Sequence, residues 1–176
     1  MKKVLLILAV AAMSFAAVSC GGKKAGSGSA ESTESAAAEA KPVTVSLNSA
    51  GLAGVCDFFT ATCIGNDLVV TQLEKNGDNV VVELQVPIKI KEPGAMKSVT
   101  MNAKLTYRDA QDKSVDLTPV PFDANENAEL AKFIAEGKKD DVKAFKFKGE
   151  IPAKDVEAFL AAKKHFLNLV DVNVTK

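Results

Sequence analysis

A long alternation of apolar and polar side chains constrains this chain more than any other feature. From Val80 to Ile90 every second residue is apolar, and the residues between them are mostly polar. Because successive side chains of a β strand point to opposite faces, this pattern predicts a strand with one buried and one exposed face. Pro87 lies inside the run and cannot donate a backbone hydrogen bond, which predicts an edge or a bulge there.

Several other segments alternate in the same way. They are residues 43–47, 68–73, 99–107, 142–151 and 166–174. Asn76-Gly77, between two such runs, is typical of a β-hairpin turn. The last run, with Phe166, Val170, Val172 and Val174, is predicted to form a closing strand.

Two segments late in the chain have helical spacing instead. In the first, Asp123 and Glu126 have the spacing of a capping box, ahead of an apolar stripe that ends at Gly137. In the second, Pro152 precedes apolar residues at helical spacing in 156–160.

The number and order of these elements predict a mainly β fold. We expect an antiparallel β-sandwich with two short helical insertions, and an immunoglobulin-like topology by analogy of element count. The chain has no Trp, so the Cys…Trp…Cys pattern of true immunoglobulin domains is missing. A small α+β antiparallel sheet domain is the alternative.

The first twenty residues have the parts of an export signal. Lys2 and Lys3 precede an apolar run that ends at Val18 and is shorter than the roughly 20 residues of a membrane-spanning helix. The exit, Ala17-Val18-Ser19-Cys20, resembles the lipobox of bacterial lipoproteins, although that family more often has Leu at the position of Ala17. The alternative is an ordinary secretory signal in which Cys20 is incidental.

The resemblance implies an address and a domain organisation. Residues 1–19 would be a signal peptide, and lipid on Cys20 would anchor the protein in the cell envelope. Gly21 in place of Asp favours the outer membrane of a Gram-negative cell. Residues 20–41 are small and polar, which predicts a flexible tether with an end-to-end distance of roughly 25 Å. Residues 42–176 would form one domain, similar to small lipoproteins with immunoglobulin-like sandwiches.

The charge balance argues against nucleic acid as a partner. The whole chain has 22 basic and 22 acidic side chains, and loss of Lys2 and Lys3 with the signal would leave a slight acidic excess. A nearly neutral protein has no strong positive field with which to hold a phosphate backbone.

Cys56 and Cys63 remain as a pair once Cys20 is set aside. Export normally leads to an oxidising compartment, so a disulfide is predicted, which would stabilise the fold by roughly 2.5 kcal/mol. Two free buried thiols are the alternative. Six residues separate the cysteines, whereas redox enzymes usually have C-x-x-C spacing, so no redox role is predicted.

Residues 48–65 are rich in Gly and Ala, have no regular period and include Phe58 and Phe59. This composition favours a loop that plugs one end of the sandwich with its aromatic side chains inside. The alternative is a binding loop, stiffened by the disulfide, that presents Phe58 or Phe59 to a ligand.

No catalytic, metal or cofactor site is predicted. His165 is the only histidine and is expected at the surface or at the boundary of the core. Asp109 and Asp112 are interpreted as turn residues between two strands. The carboxylates within predicted strands are Glu83, Glu150 and Asp171. Nothing in their spacing brings them together.

The sequence therefore favours a non-enzymatic envelope lipoprotein that binds or scaffolds another envelope component. The expected partners are a membrane, through the lipid, and another envelope protein or a glycan. One alternative is a structural accessory subunit of an envelope assembly. The other is a hydrolase whose site is assembled only by the fold.

Replacement of Cys20 by Ala should release the protein from the membrane, because the acyl chains supply the membrane affinity. Fractionation of the producing cells checks this. Cys63→Ala is the matched control and should stay in the membrane fraction. Unchanged partitioning of Cys20→Ala would contradict the lipid anchor.

Overall fold

Two β sheets make up most of the structure, a computed structural model that describes residues 41–64 and 67–176. The predicted signal, Cys20 and the tether up to residue 40 lie outside the described residues. The described strands are β1 (Pro42–Val45), β2 (Ser49–Leu52), β3 (Phe59–Ala61), β4 (Leu68–Asn76), β5 (Asn79–Ile90), β6 (Ser98–Arg108), β7 (Ser114–Asp116), β8 (Val120–Pro121), β9 (Val142–Pro152) and β10 (His165–Thr175). The helices are a 3-10 helix (Ala124–Glu126), α1 (Asn127–Glu136) and α2 (Ala153–Ala161).

The long strand β5 is the centre of the first sheet, here named sheet A. One edge of β5 pairs with β9, and the other edge pairs first with β4 and then with β3. Pro87 lies between Gln85, where pairing with β4 ends, and Ile88, where pairing with β3 begins. Its carbonyl oxygen accepts a hydrogen bond from the backbone N–H of Thr62 on that edge. The missing N–H of Pro87 therefore falls where β5 changes its partner strand.

Strands β10 and β6 form the centre of the second sheet, here named sheet B. They pair antiparallel, β2 adds to β10 in parallel, and β7 and β8 share the other edge of β6. A bridge from Phe122 to Phe147 of β9 connects the two sheets beside β8. The predicted mainly β sandwich with two short helices is confirmed. The immunoglobulin-like strand order stays a prediction.

The inner faces of the sheets supply the core. The alternate residues of β5 from Val80 to Ile90 are each at most 5% exposed, which confirms the predicted buried face. The other strands contribute Val99, Met101, Ala103, Leu105, Phe145, Phe147, Leu167 and Leu169. Since these side chains face one another, the polar residues between them are left on the two outer faces.

The predicted hairpin joins β4 to β5. Asn76 pairs with Asn79, and Gly77, the first residue of the turn between them, has a φ of +61°. A positive φ at the first turn position is typical of a type II′ turn, which favours glycine there.

The predicted helices begin and end close to their sequence signals. Asp123 Oδ1 accepts a hydrogen bond from the backbone N of Asn125 at 3.0 Å and so caps the 3-10 helix that leads into α1. At Gly137, after α1, a Cβ would lie 2.6 Å from the backbone carbonyl oxygen of Phe133, so the site favours glycine. No helix in the described ranges is long and apolar enough to cross a membrane.

A β-bulge interrupts β10. Its register against β6 shifts between Val170 and Asn173, and Asp171, at the bulge, has a φ of +53°. Non-glycine residues adopt this left-handed conformation rarely, and Asp and Asn do so more readily than most.

The bulge changes which residues of β10 face the core. Phe166 and Val170, before the bulge, lie on the outer face of the sheet, whereas Val172 and Val174, after it, pack against the core. The predicted closing strand is confirmed, and these four residues are divided between its two faces. One inserted residue inverts the alternation, because the side-chain period of a strand is two.

The paired valines of β5 test the assignment of faces. Val82→Ala should lower the free energy of unfolding by about 2 kcal/mol, because Val82 is completely buried and its truncation leaves a cavity. Val81→Ala, on the outer face, is the matched control and should cost clearly less. Urea denaturation of both variants checks this, and equal losses would contradict the assignment.

Candidate functional site

Cys56 and Cys63 are both free thiols, Cys56 buried and Cys63 partly exposed. The predicted disulfide is therefore wrong. The reason is β3, which lies between the cysteines and pairs with β5. An extended strand advances roughly 3.3 Å per residue, whereas a disulfide needs Cα atoms within about 7 Å of each other.

Phe58 and Phe59 do not form a projecting binding loop. Phe59 is completely buried in β3. Phe58 is half-buried. Its ring packs against Gly94, where a Cβ atom would lie 2.5 Å from Cε1 of Phe58. The aromatic side chains thus close one end of the core, which is the interpretation that the sequence favoured.

His165, expected at the surface or at the boundary of the core, is buried, at 8% exposure, at the start of β10. Its Nε2 is 2.8 Å from the carbonyl oxygen of Phe159, and its ring meets the Phe159 ring edge to face at 4.8 Å. The imidazole therefore joins α2 to the start of β10, and we assign it a structural role.

The strand carboxylates lie on different sheets. Glu83 accepts a hydrogen bond from Gln85, and Glu150 accepts one from Asn76, both on sheet A. Asp171 lies on the bulge of sheet B. Among residues 41–64 and 67–176, no group of three or more His, Cys, Asp or Glu side chains could hold a metal ion.

The β6–β7 turn confirms the assignment of its two aspartates. Asp109 Oδ1 accepts hydrogen bonds from the backbone N atoms of Gln111 and Lys113, at 2.9 and 2.8 Å. Asp112 has a φ of +59° and pairs with Lys164 at 3.1 Å. These carboxylates hold the turn.

The outer face of sheet B, named here the sheet B face, is the strongest candidate site. It carries two grooves of about 330 and 300 Å³. The first groove crosses β2, β10, β6 and β7 and is lined by Ser49, Ala53, Lys104, Thr106, Arg108, Ser114, Asp116, Phe166, Asn168 and Val170. The polar residues that line the second groove include Thr100, Asn102, Asn127, Asp171 and Asn173. The register places Asn102 opposite Val170, so one groove follows the other along β10.

A hydrogen-bonded ion pair lies in the first groove. Asp116 pairs with Lys104 at 2.6 Å and accepts a hydrogen bond from the buried hydroxyl of Thr106 at 2.8 Å. The hydrogen bond from Lys104, and next that from Thr106, hold the pKa of Asp116 below its ordinary value. The carboxylate therefore stays ionised and fixed in position.

Phe166 supplies the aromatic part of the face. The guanidinium carbon of Arg108 lies 5.8 Å from the centre of its ring, within the range of a cation–π contact. Arg108 Nη1 also donates to the carbonyl oxygen of Asp112 at 3.1 Å. The ring and the guanidinium are thus held together at one end of the first groove.

The bulge organises the second groove. Asn102 Nδ2 donates to Asp171 Oδ2 at 3.0 Å, and Asn173 Nδ2 donates to the carbonyl oxygen of Asp171 at 3.1 Å. Asn127 has a different task, since its Oδ1 accepts from the backbone N of Val99 at 2.7 Å. One carboxylate and two amides are therefore held beside each other on an exposed surface.

The charges of the sheet B face balance. Lys104 and Arg108 are its cations, and Asp116 and Asp171 are its anions. Such a surface offers fixed donors and acceptors without a strong net field. Its chemistry suits a polar ligand that needs many hydrogen bonds more than it suits a highly charged one.

Comparison of the chain with protein-family models, with curated proteins and with solved structures finds no match. The site is therefore argued from its own geometry.

Sequence reasoning did not find the sheet B face. The alternating polar residues of β6 indicate only an exposed strand face, which is the ordinary environment of polar residues in a strand. A usable signal lies in β10, where the apolar positions pass from Leu167 and Leu169 to Val172 and Val174. That change of phase indicates a bulge, and a bulge near polar side chains indicates a candidate site.

The lowered pKa of Asp116 makes a small part of the stability depend on pH. Its ionised form stabilises the fold above the unfolded pKa of about 3.9, and this contribution is lost as the pH falls through the lower folded pKa. Asp116→Asn should therefore destabilise by at most about 1 kcal/mol at neutral pH, since the pair is half exposed.

Urea denaturation of this variant should show the difference at about pH 7 and little of it at about pH 2.5. Asp78→Asn, in the exposed hairpin turn, is the control. An equal loss for Asp116→Asn at both pH values would contradict the role of the ionised carboxylate.

Proposed function

We propose that this chain is an exported lipoprotein, anchored in the cell envelope by lipid on Cys20, whose β-sandwich binds another envelope component. The sheet B face carries the binding part of this proposal. Two adjoining grooves lie there, and the strained bulge at Asp171 fixes a carboxylate and two amides in one of them. Bulges and strained residues occur preferentially at functional sites.

The lipobox-like exit supports the anchor. A basic start, a short apolar run and a small-residue segment precede Cys20 in the order that lipoprotein signals require. Several acyl chains on one cysteine would give stable attachment, since one chain alone binds only marginally. Gly21 favours the outer membrane of a Gram-negative cell.

The tether would allow the domain to search for its ligand. Residues 21–41 contain nothing larger and more apolar than Ala, and a coil of that length extends roughly 25 Å from its anchor. A lipid and a tether of this kind hold the domain near its ligand and raise the effective concentration. Weak contacts on the sheet B face would then suffice.

Binding is favoured over hydrolysis because the candidate catalytic groups have structural tasks. His165 is hydrogen-bonded to the end of α2, and Glu150 lies on the opposite sheet from Asp171. A pair of carboxylates for glycoside hydrolysis must face each other across a bound substrate. The sheet B face provides one fixed carboxylate in each groove, which suits recognition.

Exposed apolar side chains favour a second candidate, an accessory subunit of an envelope assembly. Val55 is 91% exposed and Ile64 is 70% exposed, before and after β3. Large exposed apolar residues mark protein contacts when they form a patch. Mutation of these two residues separates this candidate from binding at the sheet B face.

Binding to isolated envelope fragments of the producing cells tests the proposed function. The purified full chain, kept in detergent, should sediment with the fragments. Asn168→Arg places a long charged side chain on the exposed middle of β10 and should reduce the bound fraction at least tenfold, because it blocks the first groove.

Asn76→Arg is the matched control, since Asn76 is also exposed but lies at the hairpin of sheet A. It should bind as the unchanged protein does. Equal binding by Asn168→Arg would overturn the sheet B face as the site. Loss of binding in a Val55→Ser, Ile64→Ser double variant alone would favour the accessory subunit.

A further inference from the structure

The sheet B face contains the chemical groups that recognise uncharged sugars. Sugar hydroxyls both donate and accept hydrogen bonds, so their binding sites need carboxylates, amides and hydroxyls held in fixed positions. Along β10 and β6 the face presents Asn168, Asp171 and Asn173 beside Thr100 and Asn102. On the outer face of β10 these polar residues alternate with Phe166 and Val170.

The groups in the second groove keep free capacity. Asp171 uses Oδ2 to accept from Asn102, which leaves Oδ1 as a charged acceptor. Asn102 and Asn173 each donate through Nδ2, which leaves their Oδ1 atoms as acceptors. These oxygen acceptors suit sugar hydroxyl groups, each of which brings its own donor.

Apolar side chains lie between these polar residues. Phe166 and Val170 are half-buried on the outer face of β10, and Ala53 adjoins them in the first groove. The C–H face of a sugar ring packs on such side chains while its hydroxyls reach polar neighbours. Phe166 lies opposite Thr106 and Asn173 opposite Thr100, six residues along β6, so this part of the face extends about 20 Å at roughly 3.3 Å per residue, which is long enough for several sugar rings.

The balanced charge distinguishes between classes of glycan. The two cations and two anions of the face leave no net charge, and Lys104 is already paired with Asp116. An anionic polymer would require unpaired cations. A neutral chain requires only the hydrogen bonds that the face provides.

We infer that the sheet B face binds a neutral glycan chain of the envelope, lying along β10, with the apolar side chains of Phe166 and Val170 against sugar C–H groups and Asp171 bonded to sugar hydroxyls. This inference rests on the proposed function and names the ligand class of the same site.

The sedimentation assay with envelope fragments tests the ligand class without knowledge of the sugar. Fragments oxidised with periodate, which cleaves vicinal diols, should lose at least tenfold in binding, whereas protease-treated fragments should bind as before. Binding should change less than twofold between about 0.05 and 0.5 M salt, because salt screens charges and not hydrogen bonds.

Two variants locate the site. Asp171→Gly removes the carboxylate and suits the positive φ, so the fold should persist and binding should fall at least tenfold. Phe166→Ala should have a similar effect. Asp140→Gly is the matched control, because Asp140 is exposed, has a φ of +72° and pairs with Lys89 of sheet A; it should bind normally. Circular dichroism confirms that each variant is folded.

The outcomes separate this inference from the proposed function. Binding that protease destroys, that periodate spares, or that falls steeply with salt overturns the neutral glycan, even where Asn168→Arg still abolishes it and the proposed function stands. Normal binding by folded Asp171→Gly and Phe166→Ala also overturns it. Absence of any binding to the fragments overturns both.

Discussion

Burial of the inner faces of two sheets is the constraint on which the rest of the structure depends. β5 supplies the longest part of that interface, and β9, β4 and β3 all pair with its edges. Because the side-chain period of a strand is two, a fixed inner face also fixes the outer one. The polar side chains of β6 and β10 are therefore held in position by core residues that they do not touch.

The bulge in β10 allows apolar residues on both sides of it to face the core while Asp171 lies on the sheet B face. Leu167 and Leu169 face the core before it, and Val172 and Val174 do so after it. A regular strand would have turned one of these pairs outward. The inserted Asp171, in a left-handed conformation that costs of order 1–3 kcal/mol, keeps both pairs buried and places a carboxylate on the outer face.

Sequence patterns predict the fold correctly wherever a local signal, within a few neighbouring residues, decides the structure. The alternation of β5, the turn at Gly77 and the cap at Asp123 are local signals, and the structure contains all three. The predicted disulfide between Cys56 and Cys63 is wrong because it was inferred from an oxidising compartment and an even number of cysteines. The pairing of β3 with β5 instead decides where the two thiols lie. The burial of His165 depends on how α2 folds back onto the start of β10, where Phe159, six residues before the histidine, contacts its ring.

The same reasoning explains why the candidate site was harder to predict than the fold. Asn102 and Asp171 are 69 residues apart, and they meet only because β6 pairs with β10 in one register. Taken singly, each is an ordinary polar residue on an exposed strand face. Among the residues that the structure describes, three aspartates have a positive φ, but Asp112 and Asp140 lie in turns, where such a conformation is common. Only Asp171 adopts it within a long paired strand, so its strain is the observation that most needs a functional explanation.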